Sequence, residues 1–265
     1  MGELDTLTFN ALAAMLWPFF RLSGFFMNLL VFSGRSMPMR VRLMLALSCT
    51  VCILPMVPAV DPHLQLMSTA GVLITIREVL IGVAIGYLTQ FLSQVFTIAG
   101  QVVAMQTGLG FASLVDPVSG TNSPVVGQFL SVLTTLVFLA MNGHLLFLRM
   151  MVMSFETLPI GGGFLTSEGI HEMVLLLGAI FLSGLAVSIS AVCTMLVVNF
   201  TLGVMTRAAP QLNVFSLGFA ITMVTGLVVL SLIFRAYLSN YTHSFNELIE
   251  VGCTLLSTSC EGFLQ

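Results

Sequence analysis

Few side chains in this sequence can do chemistry, and most of them sit in or beside apolar runs. Arg21, Arg77 and Glu78 lie within long hydrophobic blocks, and Asp116 and His144 stand at the margins of others. An ionisable group in such surroundings marks either a proton or ion path or a contact between helices. Arg77 and Glu78 are adjacent, and successive residues of a helix point about 100° apart. They therefore do not make an ideal pair with each other, and each is expected to answer a different neighbour in an assembly. Glu78 and Asp116 keep a proton-coupled carrier in view. His144, beside Asn142 and Gly143, reads as a structural hydrogen-bonding residue rather than a titrating one. Cys49 and Cys52 have C-x-x-C spacing, but redox chemistry wants a soluble strand-to-helix junction and an electropositive setting, neither of which surrounds them. No spacing of His, Cys, Asp and Glu resembles a metal site, and there is no Gly-rich phosphate loop, G-x-S-x-G or H-E-x-x-H. Catalysis is not expected, nor is a metal or cofactor.

The most distinctive stretch, residues 100–129, is nearly free of charge. Gly108, Gly110, Pro117, Gly120, Asn122, Pro124 and Gly127 punctuate it as turn signals do, while Leu109, Phe111, Leu114 and Val115 keep it too apolar for a solvated loop. Non-helical backbone at membrane depth is tolerated only where protein or a water-filled path satisfies it. A loop inside a conduit is the favoured reading, over a loop lying on the lipid headgroups.

The elements that would position these residues follow from composition. Of 265 residues, 57% are hydrophobic and 7% charged, and the mean hydropathy is +1.07. Soluble chains average about 25% charged residues. The expected fold class is all-α, a polytopic membrane protein of helical hairpins. All 8 basic residues are arginines, so no lysine-rich tail or stripe exists and nucleic acid is excluded as a partner. Glu3 and Asp5 stand where a secretory signal needs a basic region, so the first apolar block is expected to be retained.

Apolar blocks run over residues 7–32, 43–60, 66–103, 125–153, 173–205 and 214–237. The fourth carries a polar step at Asn142 that suggests a helix break. Gly82 and Gly86, and on a later block Gly178 and Gly184, have the small-residue character that lets helix backbones approach. Arginines segregate: Arg35, Arg40 and Arg42 crowd one connection, and Arg207, with Pro210 and Gln211, marks the turn between the last two blocks. Both turns are expected on the cytoplasmic side. The acidic loop 155–172 and the segment 239–265, with Glu247, Glu250 and Glu261, are expected on the other side. Cys253 and Cys260 would lie about 10 Å apart on a continuous helix, too far for a disulfide, and can pair only if that segment is not helical.

These residues carry a resemblance. Gly100-Gln101, Met105-Gln106-Thr107-Gly108-Leu109 with Phe111-Ala112, Val115-Asp116-Pro117, Asn142-Gly143-His144-Leu145, Thr157-Leu158-Pro159-Ile160-Gly161 and Ala209-Pro210-Gln211-Leu212 through Gly218-Phe219 occur in this order. Together the sequence resembles the FliR family of flagellar biosynthetic proteins, which includes the equivalent type III secretion export-gate subunit; the fourth and fifth stretches look more like the flagellar branch. The resemblance implies one copy within a helical export gate, joined by FliP and FliQ homologues and associated with FlhB and FlhA homologues. The gate would sit in the bacterial inner membrane at the flagellar basal body and protrude on the periplasmic side. Its cargo would be unfolded exported proteins, and membrane lipid would surround it. Residues 1–165 would be a FliP-like hairpin part and residues 166–265 a FliQ-like hairpin with a final segment. Residues 106–122 would plug the pore, with Phe111 and its neighbours as the obstruction. The alternatives are a proton- or solute-coupled carrier and a membrane scaffold with no conduit.

Overall fold

A computed structural model describes residues 2–32, 37–58, 68–110, 124–208, 214–258 and 260. The described residues form helices and connections, with no strand among them: α1 (Gly2–Asn28), α2 (Met39–Ile53), α3 (Thr69–Gln106), α4 (Val125–Ala140), α5 (Gly143–Thr157), α6 (Ser167–Ala208) and α7 (Val214–Leu256). This is the all-α membrane architecture read from the sequence. Four helices among the described residues are long and apolar enough to cross a membrane, or five if α4 and α5 count as one bent span. The hydropathy pattern suggested six. The difference lies at the N-terminal end, where α1 carries Pro18 inside it and its Trp17, Arg21, Leu22 and Phe25 are fully buried in protein.

Hydroxyl residues are frequent in these helices because each can donate back to the carbonyl three or four residues earlier, which hides its polarity. Thr50 donates to Ala46 at 2.7 Å, Thr97 to Ser93 at 2.8 Å and Thr194 to Ser190 at 2.7 Å. The helix ends have local causes. Pro55 converts the end of α2 to a 3-10 turn over Leu54–Met56. Asn142 adopts a left-handed conformation with φ 56°, and α4 and α5 meet there at 67°. A Cβ at Gly143 would come within 2.5 Å of the Phe138 ring, so a larger residue there would have to displace that buried ring.

Two boundaries differ from the sequence reading. The acidic loop is shorter, since α5 extends to Thr157 and α6 begins at Ser167. Segment 239–265 is not separate, because α7 runs unbroken to Leu256. Only there does it stop, in a Schellman turn: Thr258 N–H donates to Cys253 O at 3.0 Å, Ser257 N–H to Thr254 O at 3.1 Å, and Ser257 has φ 54°. A non-glycine residue in that conformation costs about 1 to 2 kcal/mol. Beyond the turn, Cys253 and Cys260 form a disulfide with Cα atoms 5.8 Å apart.

The chain divides into two compact units. One comprises Met1–Phe91, Phe138–Leu176 and Glu247–Gln265; the other comprises Leu92–Val137 and Leu177–Asn246. In the first unit, Trp17 and Ile74 form a buried cluster with Phe20 and Ile160 against it. In the second unit, Val103, Ala191, Val229 and Ile233 cluster with Val187, and Tyr237 and Tyr241 pack on Phe96 at ring distances of 4.4 and 6.2 Å. Half of the most apolar stretch of α3 is buried in protein, against 22% for α6 and 17% for α7. α6 and α7 thus present apolar side chains such as Leu182, Phe200 and Val224 outward, a surface that calls for lipid or protein against it.

Candidate functional site

In the first unit the deepest polar feature is an arginine cage. Arg21 on α1 is fully buried. Its Nε donates to Glu78 Oε2 on α3 at 2.5 Å. Its Nη1 donates to Ser154 O at 2.8 Å and Ser154 Oγ at 3.2 Å, and its Nη2 to Leu158 O at 2.8 Å. The Phe155 ring lies 4.3 Å from the guanidinium carbon, a cation–π distance. A buried charge is tolerable only when both its charge and its donors are answered, and here one guanidinium holds α1, α3 and the end of α5 together.

Glycines allow that approach. A Cβ on Gly82 would collide with Arg21 O, one on Gly86 would lie 2.6 Å from Phe25 O, and one on Gly24 would lie 2.7 Å from Val79 O. α1 and α3 are therefore in backbone contact over two turns. Two further hydrogen bonds fasten the same seam: Leu30 N–H to Thr89 Oγ1 at 2.9 Å and Gln90 Nε2 to Asn28 O at 2.9 Å.

In the second unit the corresponding feature is the stem of the segment expected to be the plug. α3 ends at Gln106, and Gly108 then turns the chain with φ +79°. Gly110 N–H returns to Ala104 O at 2.9 Å. A Cβ on Gly100 would be 2.6 Å from Gly127 Cα, so the backbones of α3 and α4 touch where the two ends of the segment leave their helices. Ser93 and Ser131 share a hydrogen bond of 2.8 Å along the same seam. Thr107 is fully buried and fills the space left by Gly226 of α7, and a Cβ on Gly184 of α6 would be 3.0 Å from Val95 O. Thr134 and the Tyr237 hydroxyl, 2.8 Å apart, tie α4 to α7. What this arrangement does is mechanical: α3 and α4, the helices on either side of residues 111–123, are held to each other and to α6 and α7, at Gly100, Gly127, Gly184 and Gly226 through approaches that need a small residue.

The expected site residues fall as follows. Met105 and Gln106 belong to the last turn of α3, with Met105 74% exposed, and Gly108, Leu109 and Gly110 form the turn after it. Phe111, Leu114, Val115, Asp116, Pro117, Gly120 and Asn122 lie outside the described residues, as do Arg35, Pro210 and Gln211. Arg207 is exposed in the last turn of α6, where a cation complements the helix dipole. Glu78 finds its partner within the chain, in Arg21, rather than in an assembly. Arg77 is different: its Nε and Nη2 are buried with no hydrogen-bond partner among the described residues. His144 likewise leaves Nδ1 unbonded. Gly82, Gly86 and Gly184 sit at close backbone approaches, whereas Gly178 does not make the approach expected of it, since a Cβ there would meet nothing within 4 Å. Sequence reading missed Ser154 and Leu158 as acceptors and Gly24, Gly127 and Gly226 as contact points. Arg21 alone carried a signal, as a buried charge in need of a partner.

A family model described as bacterial export proteins, family 1, matches residues 12–248. The chain belongs to the bacterial export proteins, family 1. Its similarity to curated members of that kind runs nearly end to end. It is 34% identical over 241 residues to the flagellar biosynthetic protein FliR of Escherichia coli K12, covering 91% of this chain and 92% of that protein. It is 32% identical over 257 residues to FliR of Pectobacterium carotovorum, covering 95% and 98%, and 28% identical over 253 residues to FliR of Bacillus subtilis 168, covering 92% and 95%. The function expected from the sequence, a component of the flagellar type III export apparatus, therefore stands, and the carrier alternative is not favoured.

Proposed function

We propose that this chain is a structural, non-catalytic subunit of the flagellar type III export gate, and that it helps to form and to plug the pore for unfolded flagellar proteins. The observation that carries the reading is the family match over residues 12–248, in a chain whose α3 and α4 are pinned backbone to backbone at Gly100 and Gly127. A plug needs a rigid stem and a yielding body. Glycines let the body swing aside without steric cost, and apolar side chains close a path by excluding water. In this reading residues 106–122 are the plug, and Phe111, Leu114 and Val115 fill the path.

The partners are FliP and FliQ homologues in one complex, with FlhB and FlhA homologues beside it, in the bacterial inner membrane. Residues 1–165 take the FliP-like part and residues 166–265 the FliQ-like hairpin. The exposed apolar faces of α6 and α7 then meet partner helices or lipid, and the half-buried Arg77 is the ionic contact assigned to the assembly. The cytoplasmic side carries Arg40, Arg42 and Arg207, and the far side carries Glu168, Glu172, Glu247 and Glu250.

The test is conductance of the reconstituted complex. Phe111→Ala, or deletion of residues 109–114, is expected to leave assembly intact and let ions leak, with Phe111→Leu leaking less than Phe111→Ser. Each truncated apolar side chain removes roughly 1.5 to 3 kcal/mol of contact. A deleted pore as tight as the parent would place the closure in the partner subunits.

A further inference from the structure

We infer that Cys253 and Cys260 form a compartment-dependent latch, a disulfide made only after the end of α7 has reached an oxidising compartment, which then locks the left-handed turn at Ser257. The inference uses the topology proposed above, and it stands on three observations.

The first is position. Cys253 supplies the carbonyl that accepts the Thr258 N–H, so the thiol that forms the bond and the carbonyl that closes the turn belong to one residue. The covalent bridge spans the turn whose left-handed position is held by a serine with φ 54°. Glycine takes that conformation freely and serine does not, so this turn is one that needs an outside constraint. The second is what the turn adjoins. Cys253 is 1% exposed. A Cβ on Gly169, in the first turn of α6, would lie 2.6 Å from Leu255 Cα, and one on Gly252 would lie 2.5 Å from Met150 Cε of α5. The bond therefore holds the last turn of α7 where it touches α5 and the start of α6. The third is charge. Glu168 and Glu172 on α6 and Glu247 and Glu250 on α7 flank this joint, and neither residues 155–172 nor residues 239–265 contain an arginine. That pattern belongs to the non-cytoplasmic side, where disulfides persist, whereas cytosolic thiols are kept reduced.

The chemistry balances through a thiol–disulfide oxidase of the periplasm. One cysteine attacks the enzyme's disulfide as a thiolate, and the other then displaces the enzyme from the mixed disulfide. The Cys253 and Cys260 thiols together lose two protons and two electrons, and the enzyme's disulfide becomes a dithiol. Cys49, Cys52 and Cys193 stay free. Newly made chain carries the turn unlatched, and oxidation marks the chain whose end has crossed.

The full chain is quenched in acid from cells, denatured and treated with a polymer-linked maleimide, so that each free thiol adds one step in gel mobility. With 5 cysteines in all and three of them free, three adducts are expected before reduction and five after it. Cells lacking the periplasmic oxidase are expected to show the five-adduct form before reduction. Five adducts without reductant in oxidase-proficient cells overturn the inference. Cys260→Ser is expected to raise protease cleavage after residue 256 in intact membranes, and Ser257→Gly in the same chain to restore protection. Cleavage unchanged by Cys260→Ser, or not restored by Ser257→Gly, removes the latching role. None of these measurements requires export, so a bond present in a chain that forms no gate would sink the gate reading alone.

Discussion

Arg21 and Glu78, 57 positions apart in sequence, meet through Nε and Oε2 at 2.5 Å with both side chains wholly withdrawn from solvent. Removing one member strands the other, at a cost of about 3 to 5 kcal/mol. Glu78→Leu and Arg21→Leu are each expected to reduce recovery of folded chain sharply, and Glu78→Gln, which keeps a hydrogen bond, to do so less. The double change Arg21→Leu with Glu78→Leu is expected to recover better than Arg21→Leu alone. Yields that fall additively would show that the two residues act separately.

The glycine contacts make a graded prediction. Gly82→Ala puts a methyl group into the Arg21 carbonyl, and overpacking of that kind costs about 1 to 3 kcal/mol. Gly178→Ala meets nothing within 4 Å and is expected to be silent within the isolated chain. Thermal aggregation of the two detergent-solubilised variants compares them directly. Equal loss at both positions would remove close approach as the explanation. A Gly178→Ala chain that is stable alone but recovered poorly with its partners would place that residue at a subunit contact.

At the stem of the proposed plug, Gly108→Ala forces a side chain into a φ of +79°, at about 1 to 2 kcal/mol. The expected outcome in the reconstituted complex is a leak above that of the parent and below that of Phe111→Ala. A Gly108→Ala pore as tight as the parent would separate the turn from the closure.

Topology is open to thiol labelling in a chain lacking only Cys49, Cys52 and Cys193, which leaves the Cys253–Cys260 bond in place. Ser36→Cys and Ala208→Cys are expected to react from the cytoplasmic side, and Gly163→Cys, where a Cβ meets nothing within 4 Å, from the other. Labelling of position 36 or 208 only from the periplasmic side would reverse the assignment.

Much of this fold is written in hydropathy. The long apolar runs of α3, α6 and α7 are plain in the sequence, and the break at Asn142 is announced by Asn142-Gly143 between apolar neighbours. Past Tyr237 the hydropathy of α7 falls, because Ser239, Asn240, His243 and Glu247 interrupt the apolar run. The helical period nevertheless continues through buried Tyr237, Tyr241, Phe245, Leu248 and Ile249, and periodicity was the better guide there. The arginine cage illustrates a different limit. A buried arginine announces that it needs a partner, but which of several distant groups supplies it depends on how helices cross, and a single sequence does not encode that locally. The glycines divide for the same reason: Gly82 and Gly178 look alike in sequence, and only the neighbour across the seam distinguishes them.

The bend at Asn142 bears on the lipid around the protein. α4 has 16 residues and α5 has 15, so at about 1.5 Å per residue each is no more than ~24 Å long. The hydrocarbon core of a bilayer is about 30 Å thick. Neither arm alone crosses that thickness. α4 and α5 can therefore traverse a bilayer only together, while α3, α6 and α7 each have length to spare, and the break at Asn142 then lies at membrane depth, where its backbone groups need protein or water around them.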